Sequence, residues 1–238
     1  MATILVTTRA VYAKTFNPVR LKTWTICGTA VRVITRSLCS GNGSDNWKNV
    51  LDYWFSPGAE KKWFHGGTQV DEEIRQKFSS LVEKAVQGEL KEWETEPKPS
   101  LALIILTDQF TRSIFRNSAK AFSGDARARA IARKFIDGKT HNHLEFPFAE
   151  RGFMYLPFEH SENKEDQELS VSLMTRLAED FKGTEHEDMA KGYIDFATRH
   201  KEVIDKFGRY PQRNKSLGRE NTPEEEEFLN NIPDRYKW

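Results

Sequence analysis

Ionisable side chains stand on otherwise apolar helical stripes in several segments, and their types suit acid–base work and anion recognition. In Leu101–Arg116, the residues Leu101, Ile104, Ile105, Asp108, Arg112 and Phe115 share one helical face. Asp108 and Arg112 are one turn apart and can pair, with Gln109 beside them and Arg116 one turn further on. Charges buried there are costly unless they are paired or bind something. Two readings follow: an internal salt bridge that orients the helix, or a cationic pocket wall.

Leu156-Pro157-Phe158-Glu159-His160-Ser161-Glu162 is the second such segment. A proline break exposes groups that a continuous helix hides, and His160 with Glu162 has the composition of an acid–base pair. The alternative is that Ser161 and Glu162 cap the next helix. His200 is the third feature, on the apolar stripe between Ala197 and Ile204. A lone stripe histidine is commonly a hydrogen-bonded core residue. Downstream, Arg209, Arg213 and Arg219 with Asn214 lie in a loop punctuated by Gly208, Pro211 and Gly218. Guanidinium forks there suit anion recognition, and suit equally the neutralisation of a helix C-terminus and pairing with acids elsewhere. The catalytic candidates are therefore His160, His200, Asp108 and Glu162. The ligand-binding candidates are Arg112, Arg116, Arg209, Arg213, Arg219, Gln109 and Asn214.

The elements that must position these groups are helices. Trp47, Val50, Leu51 and Trp54 form a first stripe, ended at Ser56-Pro57-Gly58. Ile74, Phe78, Leu81 and Ala85 form a second, with Thr68-x-x-Asp71 as its start signal. Pro99 fits the first turn of the apolar helix that follows. Ala128 to Phe135 marks the next helix, and Phe148 to Leu156 a short buried one that Pro157 is expected to break. Leu169 to Phe181, and Met189 to Phe207 with Gly208 as its left-handed stop, mark two more. Thr222-Pro223-Glu224-Glu225 is a capping box with proline at the first helical position. No segment alternates with period two, and no repeat recurs at a fixed period. The pattern predicts an all-α chain of about eight helices with short connections, arranged as antiparallel hairpins.

The chain of 238 residues has a formal net charge of +1. Residues 1–44 hold six bases (Arg9, Lys14, Arg20, Lys22, Arg32, Arg36) and no acid. That leaves 30 bases against 35 acids in residues 45–238, a net charge of −5. A broad nucleic-acid surface is not expected from so mildly acidic a body. The first 44 residues have the composition of a mitochondrial presequence, with Arg36-Ser37-Leu38 ahead of Cys39-Ser40 resembling a processing site. The expected location is the mitochondrial matrix after cleavage, or the cytoplasm if residues 1–44 are an untargeted tail. Residues 45–238 read as a single helical domain. The longest aliphatic run, Leu101–Leu106, is far too short to span a bilayer. Cys27 and Cys39 both fall in the first 44 residues, so the body holds no thiolate site or cysteine nucleophile.

Phosphate-loop, dinucleotide and nucleophile-elbow motifs are missing. His186-Glu187 lacks the second histidine of a zinc protease, and Ser161-x-x-Lys164 stands without the rest of a penicillin-binding pattern. His141-x-His143 lies in an expected exposed loop with no third ligand nearby, so no metal and no cofactor is expected.

The segments 108–116, 156–162, 207–214 and 218–225, together with His200, resemble the domain of unknown function 924 family. The resemblance runs from Trp47 to Leu229. This chain has Thr111, Ser113 and Gln212 where that family usually has proline, asparagine and histidine. The resemblance implies a tetratricopeptide-like superhelix of helix hairpins and carries over no reaction and no catalytic residue. Three functions are compatible with these observations. A binding or scaffold module would present the arginines along a groove to a small anion or an acidic peptide or protein, with Trp47, Trp54, Trp63 or Trp93 as anchors. This reading is preferred on fold analogy alone. A hydrolase-like enzyme would use His160 or His200 as base against a small phosphate or carboxylate substrate. A ligand-free salt-bridge lattice would match every arginine to a carboxylate and leave no cavity.

Overall fold

The computed structural model describes residues 46–63 and 67–237. The presequence expected in residues 1–44 lies outside them. Among the described residues every regular element is helical: α1 (Asn46–Phe55), α2 (Glu60–Trp63), α3 (Gly67–Gln87), α4 (Pro97–Ile104), a π-helical turn (Ile105–Phe110), α5 (Thr111–Ile114), α6 (Asp125–Ile136), α7 (Phe148–Glu159), α8 (Lys164–Asp180), α9 (Glu187–Phe207), α10 (Asn214–Leu217) and α11 (Pro223–Asn230). The class expected from periodicity is all-α, and the fold is all-α.

The centre is α4. Every side chain from Leu101 to Leu106 is completely buried, and α4 touches α1, α6 and α7. A helix apolar all round can be stable only as the inside of such a packing. Each of these leucines and isoleucines contributes roughly 1.5–3 kcal/mol of burial. Pro97 and Pro99 start the helix, where missing N–H groups cost nothing. The helix does not continue regularly to Phe115, as its stripe suggests. At Ile105–Phe110 it widens into a π turn before α5 resumes. The hydroxyls of Thr107 and Thr111 donate back to the carbonyls of Leu103 and Thr107 at 2.6 and 2.9 Å, within and beside that turn. Gly124, just ahead of α6, packs so closely here that a Cβ would lie 2.2 Å from the Thr107 carbonyl oxygen.

Pro157 does not break α7, contrary to its expected effect. The helix runs on to Glu159, with Gly152–Glu159 all buried. The lost hydrogen bond and ring clash of an interior proline cost about 3 kcal/mol. Packing against α4, α6, α8 and α9 offsets that. Gly208 stops α9 at φ +70°, and Thr222 with Glu225 forms the expected reciprocal capping box. A smaller core of Val203, Ile204 and Tyr210, with Phe207 and Phe228 against it, fixes the C-terminal region. Trp54 and Trp93 are buried, and Trp47 and Trp63 pack partly buried on the main core.

Candidate functional site

The π turn and the C-terminal end of α7 meet across one wall of a cleft of about 1060 Å³. Asp108, in the π turn, is completely buried. Its Oδ1 and Oδ2 lie 2.8 and 3.0 Å from Nδ1 of His160, and Gln109 Nε2 donates to Oδ2 at 2.5 Å. A carboxylate on Nδ1 fixes a neutral imidazole with its proton there, which leaves the Nε2 lone pair available. Nε2 has no partner among the described residues, and His160 lines the cleft. Burial opposes the Asp108 charge, but His160, Arg112 and Gln109 together hold its pKa down at about 2. Burial, reinforced by Arg112, pushes the His160 pKa below its ordinary value despite Asp108. The pair at neutral pH is therefore carboxylate and neutral imidazole.

Arg112 is one turn from Asp108, as the spacing requires, but the pairing differs. Its Nη1 donates to the Asp108 carbonyl oxygen at 2.6 Å and lies 3.4 Å from the carboxylate, while both Nη atoms grip Asp125 at 2.8 and 3.1 Å. Arg116 forms a two-point pair with Asp71 at 2.7 and 2.8 Å. Asp71 thus serves Arg116 rather than the start of α3, which begins at Gly67.

Glu162 does not meet His160. Both its oxygens take Arg219, at 2.6 and 3.0 Å, and it accepts the Tyr210 N–H at 2.9 Å. These contacts outweigh burial and lower its pKa. Nor do Ser161 and Glu162 cap α8. Asn163 is the cap, accepting from the Asp166 N–H at 2.9 Å, and the Ser161 hydroxyl donates to the Asp166 side chain. Arg209 is held by Glu225 at 2.6 and 2.7 Å. Asn214 is buried against Asn221 and Glu225. Arg213 is inserted between the rings of Phe122 and Tyr210, and donates to the His160 carbonyl oxygen at 2.9 Å. Of the sequence candidates, Gln109, Arg112, Arg116, His160 and His200 line the cleft; Arg209, Arg213, Arg219, Asn214 and Glu162 do not. Arg213 holds the carbonyl at the α7 terminus, and the Glu162–Arg219 pair ties the residues just after it to Tyr210.

His200 donates from Nδ1 to the Phe196 carbonyl oxygen at 2.9 Å, and burial drives its pKa down to about 3. Its Nδ1 is also 3.4 Å from Oε1 of Glu159. Glu159 is the residue the sequence candidates omit. It is 3 % exposed and lines the cleft, and its Oε2 is buried without a hydrogen-bond partner among the described residues. Burial, with the Asp108 charge nearby, pushes its pKa up to about 8. The cleft-lining Glu159 and the fully buried Asp108 are thus two carboxyl groups driven apart, one protonated and one ionised at neutral pH, as in sites that separate acid from base.

His141 is buried, not in an exposed loop. It meets the Ser100 hydroxyl at 3.1 Å, while His143 bonds to Tyr155 through Nδ1. Among the described residues no group of three or more His, Cys, Asp or Glu side chains is arranged to hold a metal ion. No helix among them is long and apolar enough to cross a membrane.

The family model for bacterial proteins of unknown function, DUF924, matches residues 50–232. The chain belongs to the DUF924 family. The resemblance carried by the motifs at 108–116, 156–162 and 207–225 therefore holds. A solved structure, that of the protein of unknown function ATU0120 from Agrobacterium tumefaciens, is 30% identical to this chain, with a TM-score of 0.67. The similarity covers 78% of this chain and 97% of that one. No curated protein matches this DUF924 chain. The matched span contains the whole wall described above, from Asp71 to His200. Glu159 could have been found in the DUF924 sequence by carrying α7 through Pro157. It then falls three and four residues after Leu156 and Tyr155, at the end of the run Gly152–Phe158 that holds no ionised side chain.

Proposed function

We propose that the cleft is the active site of an enzyme acting on a small molecule, with His160 as general base and Asp108 as the group that orients it. The single observation behind this reading is the Asp108–His160 hydrogen bond. It commits Nδ1 and leaves Nε2 uncommitted on a residue that lines a cavity large enough for a small ligand. The π turn that carries Asp108 supports it, because such turns recur at functional sites.

The competing readings fit less well. A scaffold groove needs arginines available to a partner, yet Arg112, Arg116, Arg209 and Arg219 each hold a carboxylate in two-point contact. A pure salt-bridge lattice matches that pairing but leaves a cavity with a polar wall unexplained. Binding of an anion or an acidic peptide by these arginines would first have to displace those carboxylates. The acid-free composition of residues 1–44 supports a mitochondrial-matrix location as part of this proposal.

The test is incubation of wild type and His160→Gln with a metabolite extract, with mass spectrometry of what is consumed and formed. At least one compound should turn over in wild type and slow about 10²–10⁴-fold in the variant, the usual contribution of a positioned base. Equal turnover by both proteins, or no turnover in either, rejects the assignment.

A further inference from the structure

The charges around the cleft wall are already balanced. Asp108 and Asp125 supply two negative charges, and Arg112 and Arg213 two positive ones. Arg116 is matched by Asp71, and Lys62 sits over the Tyr53 ring and 4.0 Å from Glu73. Glu60 and Lys237, also on the lining, stand in solvent. An anion entering here would find no unmatched cation among the described residues to receive it, and a buried unpaired charge is expensive.

Glu159 supplies the complementary observation. Its buried Oε2 has no hydrogen-bond partner among the described residues, and Glu159 lines the cleft, so a hydrogen on that oxygen has no acceptor among those residues. Leaving such a group unmet is unfavourable, and a ligand oxygen that accepted its hydrogen would remove that cost. The rest of the lining includes the apolar side chains of Trp54, Trp63, Leu156, Met174 and Phe196. Phe196 is 38 % exposed and Met189 41 %, both on the lining.

We infer that the cleft takes an amphipathic ligand whose polar end is uncharged and accepts a hydrogen bond from Glu159, with its aryl or alkyl body on the Trp63–Met174–Phe196 wall. This rests on the cleft being a small-molecule site and deepens that reading by fixing the ligand's polarity. It also removes the arginine-based anion site from the binding role, because the donor is a neutral carboxyl group. Asp108 faces Glu159 from the π turn; His200, Tyr193 and Arg199 face it from α9, and Tyr210 from the segment after α9. Asp108 and burial favour the protonated form and Arg199 opposes it.

The test uses the full chain and a panel of aryl-alkyl primary amides with the matched carboxylates, read by ligand-observed NMR and calorimetry. The amides should bind at pH 7 and the carboxylates at least tenfold more weakly. Amide affinity in wild type should fall about tenfold per pH unit above pH 8, as the donor proton is lost. Glu159→Gln keeps an N–H donor and should bind the amides without that dependence, whereas Glu159→Leu should lose them; thermal melts check that both variants fold. Carboxylates binding more tightly than amides, or the same pH dependence in Glu159→Gln, overturns this inference while leaving the cleft a ligand site. No binding of either series to wild type removes the small-molecule reading and this inference together.

Discussion

Asp108 Oδ1 lies 2.8 Å from His160 Nδ1, and this contact joins the π turn to the end of α7 across 52 residues of sequence. The carboxylate also receives Gln109 and lies beside Arg112. Asp108→Ala should therefore leave His160 and Gln109 short of an acceptor in a buried place, and Arg112 short of a neighbouring charge. Removing one member of a buried charged pair costs about 3–5 kcal/mol, measurable as a lower urea midpoint. Asp108→Asn keeps an acceptor for the imidazole proton and should lose less. Nitrogen chemical shifts of the His160 ring should report the Nδ1–H tautomer in wild type. An Nε2–H tautomer there would remove the basis for treating His160 as a base.

Glu159 and His200 give the pH profile of stability two opposing limbs. The folded pKa of His200 is lowered from 6.5 to about 3, so the unfolded chain binds the extra proton, and stability is lost as pH falls below 6.5. The folded pKa of Glu159 is raised from 4.5 to about 8, so the folded chain holds the extra proton, and stability is lost as pH rises from 4.5 to about 8. Between 4.5 and 6.5 the two slopes oppose each other. Above 6.5 the His200 contribution is complete and Glu159 continues alone. Wild type should lose about 2 kcal/mol between pH 6.5 and 8, from about 1.4 kcal/mol per unit. Glu159→Gln should abolish that decline in chemical denaturation series, and persistence of the decline in the variant would assign it to another group.

The helical class, the Gly208 stop and the Thr222–Glu225 capping box were legible because each is local: a period, a left-handed position, a side chain reaching its own backbone. Asp108, Arg112, His160 and His200 were legible for a related reason, since a polar group on an apolar stripe shows without knowledge of its partner. The partners themselves were not. Arg112 takes Asp125 from the next helix, and Arg116 takes Asp71 from 45 residues upstream. Those choices are made by helix packing, which periodicity does not encode. The π turn was hidden because a 3.6-residue stripe drawn through Leu101–Phe115 passes over one widened turn without losing its apolar face. Glu159 was hidden by Pro157, whose local preference against helix is overruled by burial on every side.

Residues 1–44 carry six bases and no acid, a combination that follows a negative-inside membrane potential. Fused to a fluorescent protein and expressed in eukaryotic cells, this segment should direct the fusion to mitochondria and be removed near Cys39. Changing Arg20, Lys22, Arg32 and Arg36 to Gln should leave the fusion cytosolic. Diffuse fluorescence of the unaltered fusion would instead place the protein in the cytoplasm and make residues 1–44 an untargeted tail.

Two glycines separate the stability of the site from its shape. At Gly124 a Cβ would stand 2.2 Å from the Thr107 carbonyl oxygen, backbone in the π turn next to Asp108. At Gly152 it would stand 2.5 Å from Cε2 of Tyr193, a ring on the lining of the cleft. Overpacking a core costs about 1–3 kcal/mol where side chains can move and more where they cannot. Gly152→Ala can be relieved by rotation of the Tyr193 ring and gains about 1 kcal/mol of helix propensity, so its net cost should be small. Any effect should fall on ligand affinity, because the displaced ring enters the cleft. Gly124→Ala presses on backbone that has no rotamer to change. It should lose at least about 3 kcal/mol, or force α6 away from the π turn and carry Asp125 out of reach of Arg112. Urea titrations of the two variants should rank them in that order. Equal midpoints would mean that the contact between Gly124 and Thr107 is looser than its geometry, and that the π turn is held by its own threonine hydroxyls rather than by α6.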